Sequence, residues 1–242
     1  MHKYGLIGYP LSHSFSPAYF TEKFLRAGLS NYFYEAYPIS SIEQLTDLLQ
    51  DNTDLKGLNV TIPYKKSVIP FLHTKTEAVT KMAACNCIKI IDGKLIGYNT
   101  DVEGFEASFL QKKQPHHDRA LILGTGGASV AVQYVLRKLH IPYALVSRKP
   151  GYDFPYAELN SEILHSHPII INTTPVGTFP DTDCSPDLPY GYLTPENYCY
   201  DLVYNPAKTL FLQKAEAQGA TIKNGQDMLE MQAELSWKIW NA

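Results

Sequence analysis

The chain alternates short apolar segments with longer amphipathic ones, beginning near its first residue. Strand-like segments occupy residues 4–9, 31–39 and 55–63, and helix-like segments occupy 17–27 and 41–50 between them. Short apolar strands separated by helices are typical of parallel sheets whose strands are joined by crossover helices. The fold class predicted from this pattern is α/β, with a mainly parallel sheet covered by helices.

Residues 85–98, CNCIKIIDGKLIGY, interrupt this alternation. Two apolar runs meet there at Asp92-Gly93, a dipeptide that is favoured in two-residue hairpin turns. The pattern therefore predicts an antiparallel hairpin added to the first sheet. A connecting helix is expected over 99–111, and the polar stretch QPHHD at 114–118 ends the first α/β unit.

A second α/β unit follows over residues 119–149, which read as strand, glycine-rich turn, helix and strand. We predict that this Rossmann-like domain covers residues 105–225. The first domain is then predicted to comprise 1–104 together with 226–242, because the last segment is too short to form a domain alone.

That last segment, 225–240, has the period of a helix. Met228, Gln232, Leu235 and Ile239 fall in one column of it, so this column is expected to pack against a core. A glutamine in an otherwise apolar column needs hydrogen-bond partners if it is buried, which makes Gln232 a candidate site residue.

The composition is that of an ordinary globular protein and excludes several kinds of partner. The chain has 242 residues, 45% of them hydrophobic and 19% charged, with a formal net charge of -3. This balance argues against nucleic acid as a partner. No apolar stretch approaches the ~18 residues of a membrane span, so no membrane partner is expected.

The cysteine and histidine pattern indicates a reduced protein without a metal site. The four cysteines contain no CxxC pair, and no Cys/His spacing suggests metal ligands. We therefore predict a cytoplasmic protein. Composition leaves open whether it is a monomer or a homodimer.

A glycine cluster stands where a dinucleotide-binding turn would be, between the first strand and the helix of the second unit. Glycines there let the backbone approach a pyrophosphate, which then lies at the positive end of the helix. A plain tight turn is the alternative, and the third glycine of the usual pattern is replaced by serine. The residues of this segment are Gly124, Thr125, Gly126, Gly127, Ala128 and Ser129.

The end of the next strand indicates the type of cofactor. NAD-binding folds usually place an acid there for the ribose 2′-hydroxyl, whereas this chain has Ser147, Arg148 and Lys149. Two cations and a hydroxyl suit a 2′-phosphate, which favours NADP. The alternative is that these are two solvated surface cations.

The first strand is followed by a cluster of hydroxyls at Ser12, Ser14 and Ser16. Loops after the carboxyl ends of strands are where open α/β sheets bind ligands. Ser16 has a structural alternative, because serine before Pro17 is a good helix start.

Further polar residues follow strands of the first unit. Asn59 and Thr61 alternate with apolar residues and should share one face, and Lys65 comes just after Pro63. Lys65 alone would read as a surface lysine. Asn86 interrupts an apolar run.

Asp101 precedes or begins the connecting helix of the first unit. An aspartate at this place is a candidate for chemistry, and its structural alternative is a helix N-cap.

These motifs together resemble the shikimate dehydrogenase family over nearly the whole chain. Their number and order are more specific than a glycine turn. The resemblance implies a substrate domain, an inserted NADP domain and the reversible reduction of 3-dehydroshikimate to shikimate, a step of aromatic amino-acid biosynthesis. The matching pieces are SHSFSP, NVTIPYK, the Asn86 segment, NTD, GTGGAS, SRK, INTTPVG, DLVYNP with Thr209, and NGQDMLEMQ.

The resemblance also implies residue roles. Lys65 and Asp101 would be the catalytic pair, and Ser14 and Ser16 would hold the substrate carboxylate. The other residues implied to bind or border the substrate ring are Asn59, Thr61, Asn86, Tyr204 and Gln232. Those implied to line the cofactor site are Gly124 to Ser129, Ser147 to Lys149, Leu202 and Gly225.

The assignment agrees with the chemistry of ketone reduction. Hydride transfer builds negative charge on the carbonyl oxygen, which an ammonium such as that of Lys65 stabilises and protonates. A carboxylate beside the amine, as implied for Asp101, would orient it and favour its charged form.

The chain departs from the family pattern at Cys87, where threonine is usual, and at Ser147, where asparagine is common. Two alternative functions stay open. One is dehydrogenation of quinate or a related polyhydroxylated ring acid, and the other is a catalytically silent NADP-binding protein.

Overall fold

A computed structural model describes residues 1–12 and 14–242. His13 of the SHSFSP motif lies outside the described residues. The chain divides into two compact units, the first formed by residues 1–100 with 233–242 and the second by 101–232. The sequence placed the domain boundaries after 104 and 225, and the assignment of the two domains to substrate and cofactor stays a prediction.

The first unit alternates strands and helices before its hairpin, as predicted, with β1 to β3 parallel. The order in its sheet is β2-β1-β3-β5-β6-β4. In chain order the elements are β1 (His2–Ile7), α1 (Phe15–Arg26), β2 (Tyr32–Tyr37), α2 (Gln44–Asp51), β3 (Leu55–Val60), β4 (Thr74–Lys75), α3 (Glu77–Met82), β5 (Cys87–Ile91), β6 (Lys94–Tyr98) and α4 (Thr100–Leu110), which continues into the second unit.

The predicted hairpin is present between β5 and β6, which pair in antiparallel register. Asp92 and Gly93 both have positive φ angles, 50° and 74°. A two-residue turn that matches the twist of its strands needs both central residues in this region, and Asp-Gly tolerates it.

The last helix packs its carboxyl-terminal part on the first sheet. The indole Nε1 of Trp240 donates to the carbonyl of Ile88 at 2.9 Å. A Cβ on Gly57 would lie 2.2 Å from the same indole nitrogen, so only glycine lets the strand approach this ring. The tryptophan thereby anchors the helix to β3 and β5.

The second unit contains a parallel sheet in the order β11-β10-β9-β7-β8. Its carboxyl ends are in register, because Asn172 pairs with both Asp201 and Leu123, and Leu123 pairs with Val146. In chain order its elements are β7 (Ala120–Leu123), α5 (Gly127–Lys138), β8 (Tyr143–Val146), α6 (Ser161–Ser166), β9 (Ile169–Asn172), β10 (Tyr198–Asp201), α7 (Leu210–Glu216), β11 (Thr221–Lys223) and α8 (Gln226–Asn241), which ends in the first unit.

The buried face of α8 overlaps only in part with the predicted column, of which Gln232 is buried and Ile239 packs against the aromatic cluster of the first unit. Met228, Leu235 and Ile239 are only half-buried, whereas the buried residues are Gln232, Ala233, Ser236 and Trp240. The column is rotated because close packing on a sheet selects small residues and one large anchor rather than every apolar side chain.

Within the described residues, no helix is both long and apolar enough to cross a membrane. The same residues contain no group of three or more His, Cys, Asp or Glu side chains that could hold a metal ion.

Candidate functional site

The first unit buries a network of neutral polar side chains around Asn59. The Asn59 amide donates to Ser236 Oγ at 2.9 Å and accepts from the Tyr34 hydroxyl at 2.8 Å. It also donates to the carbonyl oxygen of Asn86 at 3.3 Å. Asn59 of β3 therefore contacts β2, the residue that precedes β5, and α8.

The Asn86 side chain extends this network to the start of α4. Its Nδ2 donates to Thr100 Oγ1 at 3.0 Å, and its Oδ1 accepts from the Thr100 amide at 2.7 Å. Thr100 Oγ1 lies 3.3 Å from Ser236 Oγ, which closes the network. Asn86 is thus the residue that ties the hairpin to the helix start.

Ser16 belongs to the same network through Tyr34. Burial raises the pKa of Tyr34 well above its usual value, and a hydrogen bond from Ser16 opposes that rise. The structure therefore brings together three of the predicted substrate residues: Ser16, Asn59 and Asn86.

The helix start near Ser16 differs from the structural alternative offered by the sequence. Helix α1 begins at Phe15, so Ser14 occupies the N-cap position and Ser16 lies inside the first turn. The Ser14 side chain makes no capping hydrogen bond to the described residues. Ser16 is therefore not the N-cap, because the chain turns into the helix before Pro17.

The segment after β3 holds Lys65 in a firmly bonded turn. The Thr61 amide donates to the Ile7 carbonyl at 2.9 Å, and the Thr61 carbonyl accepts from the Tyr64 amide at 2.9 Å. The Lys65 carbonyl accepts from the Cys85 amide at 2.7 Å. Lys65 is partly buried, unlike an ordinary surface lysine, and its backbone is tied to the strand edge.

Asp101 is the second residue of α4 and not its N-cap, because the helix begins at Thr100. A carboxylate in the first turn of a helix is favoured by the helix dipole.

Gln232 and Tyr204 differ in burial. Gln232 is 8% exposed, and its Nε2 donates to the Leu229 carbonyl at 3.0 Å. Helix α4 passes close by, because a Cβ on Gly104 would lie 3.1 Å from the Gln232 Cβ. Tyr204 is 40% exposed.

The second unit has a cavity of about 480 Å³ at the carboxyl edge of its sheet. Six of the predicted cofactor residues line it: Gly124, Thr125, Gly126, Ser147, Arg148 and Lys149. The carboxyl edge of a parallel sheet is where such folds bind nucleotides.

The glycine turn is built for close approach of a ligand to its backbone. Gly124 has a φ of +100°, and a Cβ there would lie 2.7 Å from the Thr174 methyl. Beside Gly126 and Gly127, by contrast, an added Cβ would meet none of the described residues within 4 Å. The space in front of these two glycines is open, and helix α5 begins there. A phosphate group fits such a helix start.

Ser129 takes the place of the third glycine of the usual pattern. It is fully buried in the first turn of α5 and accepts from Gln133 Nε2 at 3.1 Å. Ala128 is exposed in the same first turn. Leu202 and Gly225 pack backbone to backbone, because a Cβ on Gly225 would lie 2.2 Å from the Leu202 carbonyl oxygen.

The end of β8 fits a 2′-phosphate. Ser147 Oγ accepts from the Lys149 amide at 3.0 Å, which leaves its hydrogen available to donate. Arg148 and Lys149 are exposed at the cavity rim. A carboxylate directly after this strand would repel a phosphate, and this chain has hydrogen-bond donors there instead.

Several cavity residues carried no sequence signal of their own. Thr173, Thr174, Pro175 and Val176 lie in the INTTPVG motif, but nothing in the motif predicted which of them reach the cavity. Tyr156 begins a short 3-10 helix, and the segment 185–187 is irregular; neither shows a periodicity in the sequence.

One wall of the cavity carries an acid as well as the two cations. Burial raises the pKa of Tyr156, with Arg148 opposing the rise and Asp187 adding to it. Asp187 and Arg148 therefore both lie near Tyr156 and have opposite effects on its pKa.

Next to the cavity, a buried carboxylate joins the ends of β9 and β10. Asp201 is fully buried and accepts from Asn172 Nδ2 at 2.9 Å, the Val203 amide at 3.0 Å and Thr209 Oγ1 at 2.5 Å. Burial raises the pKa of Asp201 to about 6. Sequence reasoning missed this group, although DLVYNP and Thr209 had been recognised as motifs.

The two units thus define a class of protein: a polar-lined α/β unit combined with a parallel α/β unit of the dinucleotide-binding type. The family model "Shikimate dehydrogenase substrate binding domain" matches residues 6–88. A shikimate dehydrogenase (NADP(+)) of Methanococcus maripaludis is 36% identical over 98% of this chain and 90% of its own length. The chain belongs to the shikimate dehydrogenase family.

Solved structures show the same relationship. The shikimate 5-dehydrogenase of Thermus thermophilus, in complex with NADP(H) and shikimate, has a TM-score of 0.84 and 30% identity, over 99% of this chain and 93% of that one. A quinate dehydrogenase from Corynebacterium glutamicum in complex with NAD has a TM-score of 0.85 and 25% identity, over 98% and 93%.

Proposed function

We propose that this protein is an NADP-dependent shikimate dehydrogenase, which reversibly reduces 3-dehydroshikimate to shikimate. The observation that carries the proposal is the near full-length match, at 36% identity, to a curated enzyme of that activity. The composition of the cavity in the second unit supports it independently.

The neutral network of the first unit supports binding of a polyhydroxylated ring. Its asparagine and hydroxyl groups both donate and accept, which suits ring hydroxyls. We assign Asn59, Thr61 and Asn86 to the ring, and Ser14 and Ser16 to the carboxylate. Gln232 and Tyr204 are assigned to the same substrate set.

We assign the proton transfer to Lys65. NADPH, when bound, supplies the hydride that reduces the carbonyl carbon. Lys65 Nζ stabilises the charge that develops on the carbonyl oxygen and donates a proton to it; in the reverse direction the neutral amine accepts the proton. Asp101 is assigned to orient the Lys65 amine and favour its charged form.

We assign NADP to the cavity of the second unit. The glycine turn and the start of α5 suit the pyrophosphate, and Ser147, Arg148 and Lys149 suit the 2′-phosphate. Ala128, Ser129, Leu202 and Gly225 shape the surrounding backbone.

A quinate dehydrogenase is the second candidate. The similarity to the Corynebacterium glutamicum enzyme and the cysteine at position 87, next to Asn86, favour retaining it. In either case we place the protein in the cytoplasm, as a monomer or homodimer. All four cysteines lie in the described residues and none of them forms a disulfide there, which fits a reducing compartment. For shikimate as substrate, the step belongs to aromatic amino-acid biosynthesis.

The test is a steady-state assay that follows NADPH absorbance with the purified protein. We expect oxidation of shikimate with NADP, with a kcat/KM well above that for quinate or for NAD. A higher kcat/KM for quinate would favour the second candidate. Cofactor binding without turnover of either acid would favour a catalytically silent NADP-binding protein.

A further inference from the structure

The buried Asp201 carboxylate lies one strand away from the cavity of the second unit. The cavity is lined by residues that follow β7, β8 and β9, whereas Asp201 ends β10. Its contacts connect the end of β10 to one of these lining segments through Asn172.

A carboxylate accepts hydrogen bonds and does not donate them, so Asp201 decides how the Asn172 amide is turned. Asn172 has to present its NH₂ group to Asp201. Its Oδ1 atom then faces the next residues of the chain. Val203 and Thr209 donate to the same carboxylate and hold it in place.

The Asn172 Oδ1 atom organises the cavity wall. It accepts from the Thr174 amide at 3.0 Å and from Thr174 Oγ1 at 2.6 Å. Thr174 Oγ1 in turn accepts from the Val176 amide at 3.3 Å. Thr174 also touches the glycine turn, since a Cβ on Gly124 would lie 2.7 Å from its methyl group.

We propose that Asp201 is a positioning residue for the cofactor: through Asn172 it fixes the 173–176 segment against the glycine turn, so that the cavity exists before a ligand enters. A preformed cavity binds more tightly because less ordering remains for the ligand to impose. This inference rests on the proposed NADP function.

The test compares Asp201→Ala with Asn197→Ala in the full chain. Asn197 is a matched control, because it is buried and multiply hydrogen-bonded immediately before the same strand, at its amino end. The measurements are the Kd for NADPH, from its fluorescence on titration, and the Tm without ligand.

For Asp201→Ala we expect the Kd for NADPH to rise about tenfold, which is about 1.4 kcal/mol of binding free energy. Asn197→Ala should lower the Tm comparably and leave the Kd within about twofold. Asp201→Asn should restore most of the affinity, because its oxygen still accepts from Asn172. Equal Kd shifts in the two alanine variants, or none in Asp201→Ala, would overturn the proposal.

If Asp201→Ala does not fold, Thr174→Val tests the same connection from its other end. This variant keeps the buried carboxylate and removes the hydroxyl that donates to Asn172 and accepts from the Val176 amide. An increased Kd for NADPH supports the proposal, and an unchanged Kd overturns it. A wild-type protein that binds no NADPH would instead contradict the proposed function itself, and this inference with it.

Discussion

The two units of this protein each bury a polar network, and the networks differ in charge. Around Asn59, the first unit uses amides and hydroxyls. The second unit surrounds the Asp201 carboxylate with donors. Both networks lie near the ends of strands that carry candidate site residues.

The two networks specify their geometry in different ways. Amides and hydroxyls can both donate and accept, so the first network can adapt to a ligand. It also stays uncharged over a wide pH range. A carboxylate imposes one direction on every bond it makes, but its burial raises its pKa to about 6. The second network is therefore better defined in direction, and its hydrogen-bond pattern changes when the carboxylate is protonated.

The largest expected effect on activity concerns Lys65, a charged residue of the first unit, whose buried network is neutral. Lys65→Ala should lower kcat by ~10²-fold or more, because a positioned proton donor is lost in the transition state. Substrate affinity should change much less. The measurement is a set of steady-state constants with shikimate and NADP, with Lys66→Ala as the control. A kcat close to that of the wild type would contradict the catalytic assignment.

The next prediction introduces a charge into the neutral network. Asn59→Asp keeps the shape but replaces the donor to Ser236 and Asn86 with an acceptor. We expect a loss of about 2 kcal/mol in the free energy of unfolding at neutral pH, since a buried group is left unsatisfied. The loss should shrink on acidification, because the introduced carboxyl group donates again once it is protonated.

Urea unfolding of the Asn59→Asp variant near pH 5 and near pH 7 checks this expectation. A loss that does not depend on pH would show that the introduced charge is not its cause. Asn52→Asp is a control, because Asn52 is only partly buried.

A smaller effect is expected from the cofactor cations of the second unit. Arg148→Ala should raise the KM for NADP about tenfold and leave that for NAD nearly unchanged, because only NADP loses a partner for its 2′-phosphate. The wild-type preference for NADP should weaken at high salt, since Arg148 is exposed. Equal constants for NAD and NADP in the wild type would mean that these cations only face solvent.

The smallest effect is a pH dependence in which two buried groups oppose each other. The pKa of Asp201 rises from 3.8 to about 6, so the folded state binds its proton more tightly than the unfolded state does. The free energy of unfolding then decreases as pH rises across that window.

His117 changes the free energy of unfolding with pH in the opposite direction. Burial, followed by the nearby His116, lowers the pKa of His117 from 6.5 to about 4. Its Nδ1 accepts from the Gln114 amide at 2.9 Å, which only the neutral ring allows. Stability from His117 is therefore complete above pH 6.5 and is lost as pH falls toward about 4.

Asp201→Asn should reveal the His117 dependence, so that urea unfolding shows a steeper loss of stability on acidification than in the wild type. His117→Gln should show the reverse, with stability rising on acidification toward the lower end of the window. Identical pH profiles for the wild type and both variants would contradict the assignment of these two groups.

Local features of this protein were predictable from the sequence. The alternation of strands and helices, the Asp92-Gly93 hairpin and the strand-turn-helix around Gly124 all follow from periodicity and from backbone angles that few residues tolerate. The family resemblance was readable for the same reason, because its motifs are short and contiguous.

Start positions and buried faces were less predictable. The sequence offered Ser16 as a cap, but α1 begins at Phe15. Helix α8 buries Ser236 and Trp240, whereas Met228 and Leu235 of the predicted column are only half-buried. Helix period identifies an amphipathic segment, whereas its rotation depends on the surface against which it packs.

The sequence by itself determined the α/β class, the glycine turn and the cations that follow β8, because each is written in a few neighbouring residues. Only the tertiary structure decided that Asn172 and Asp201 meet 29 residues apart, and Asn59 and Ser236 177 residues apart. Such contacts depend on strand register and helix packing. These bring together segments whose local sequences do not indicate that they will be in contact.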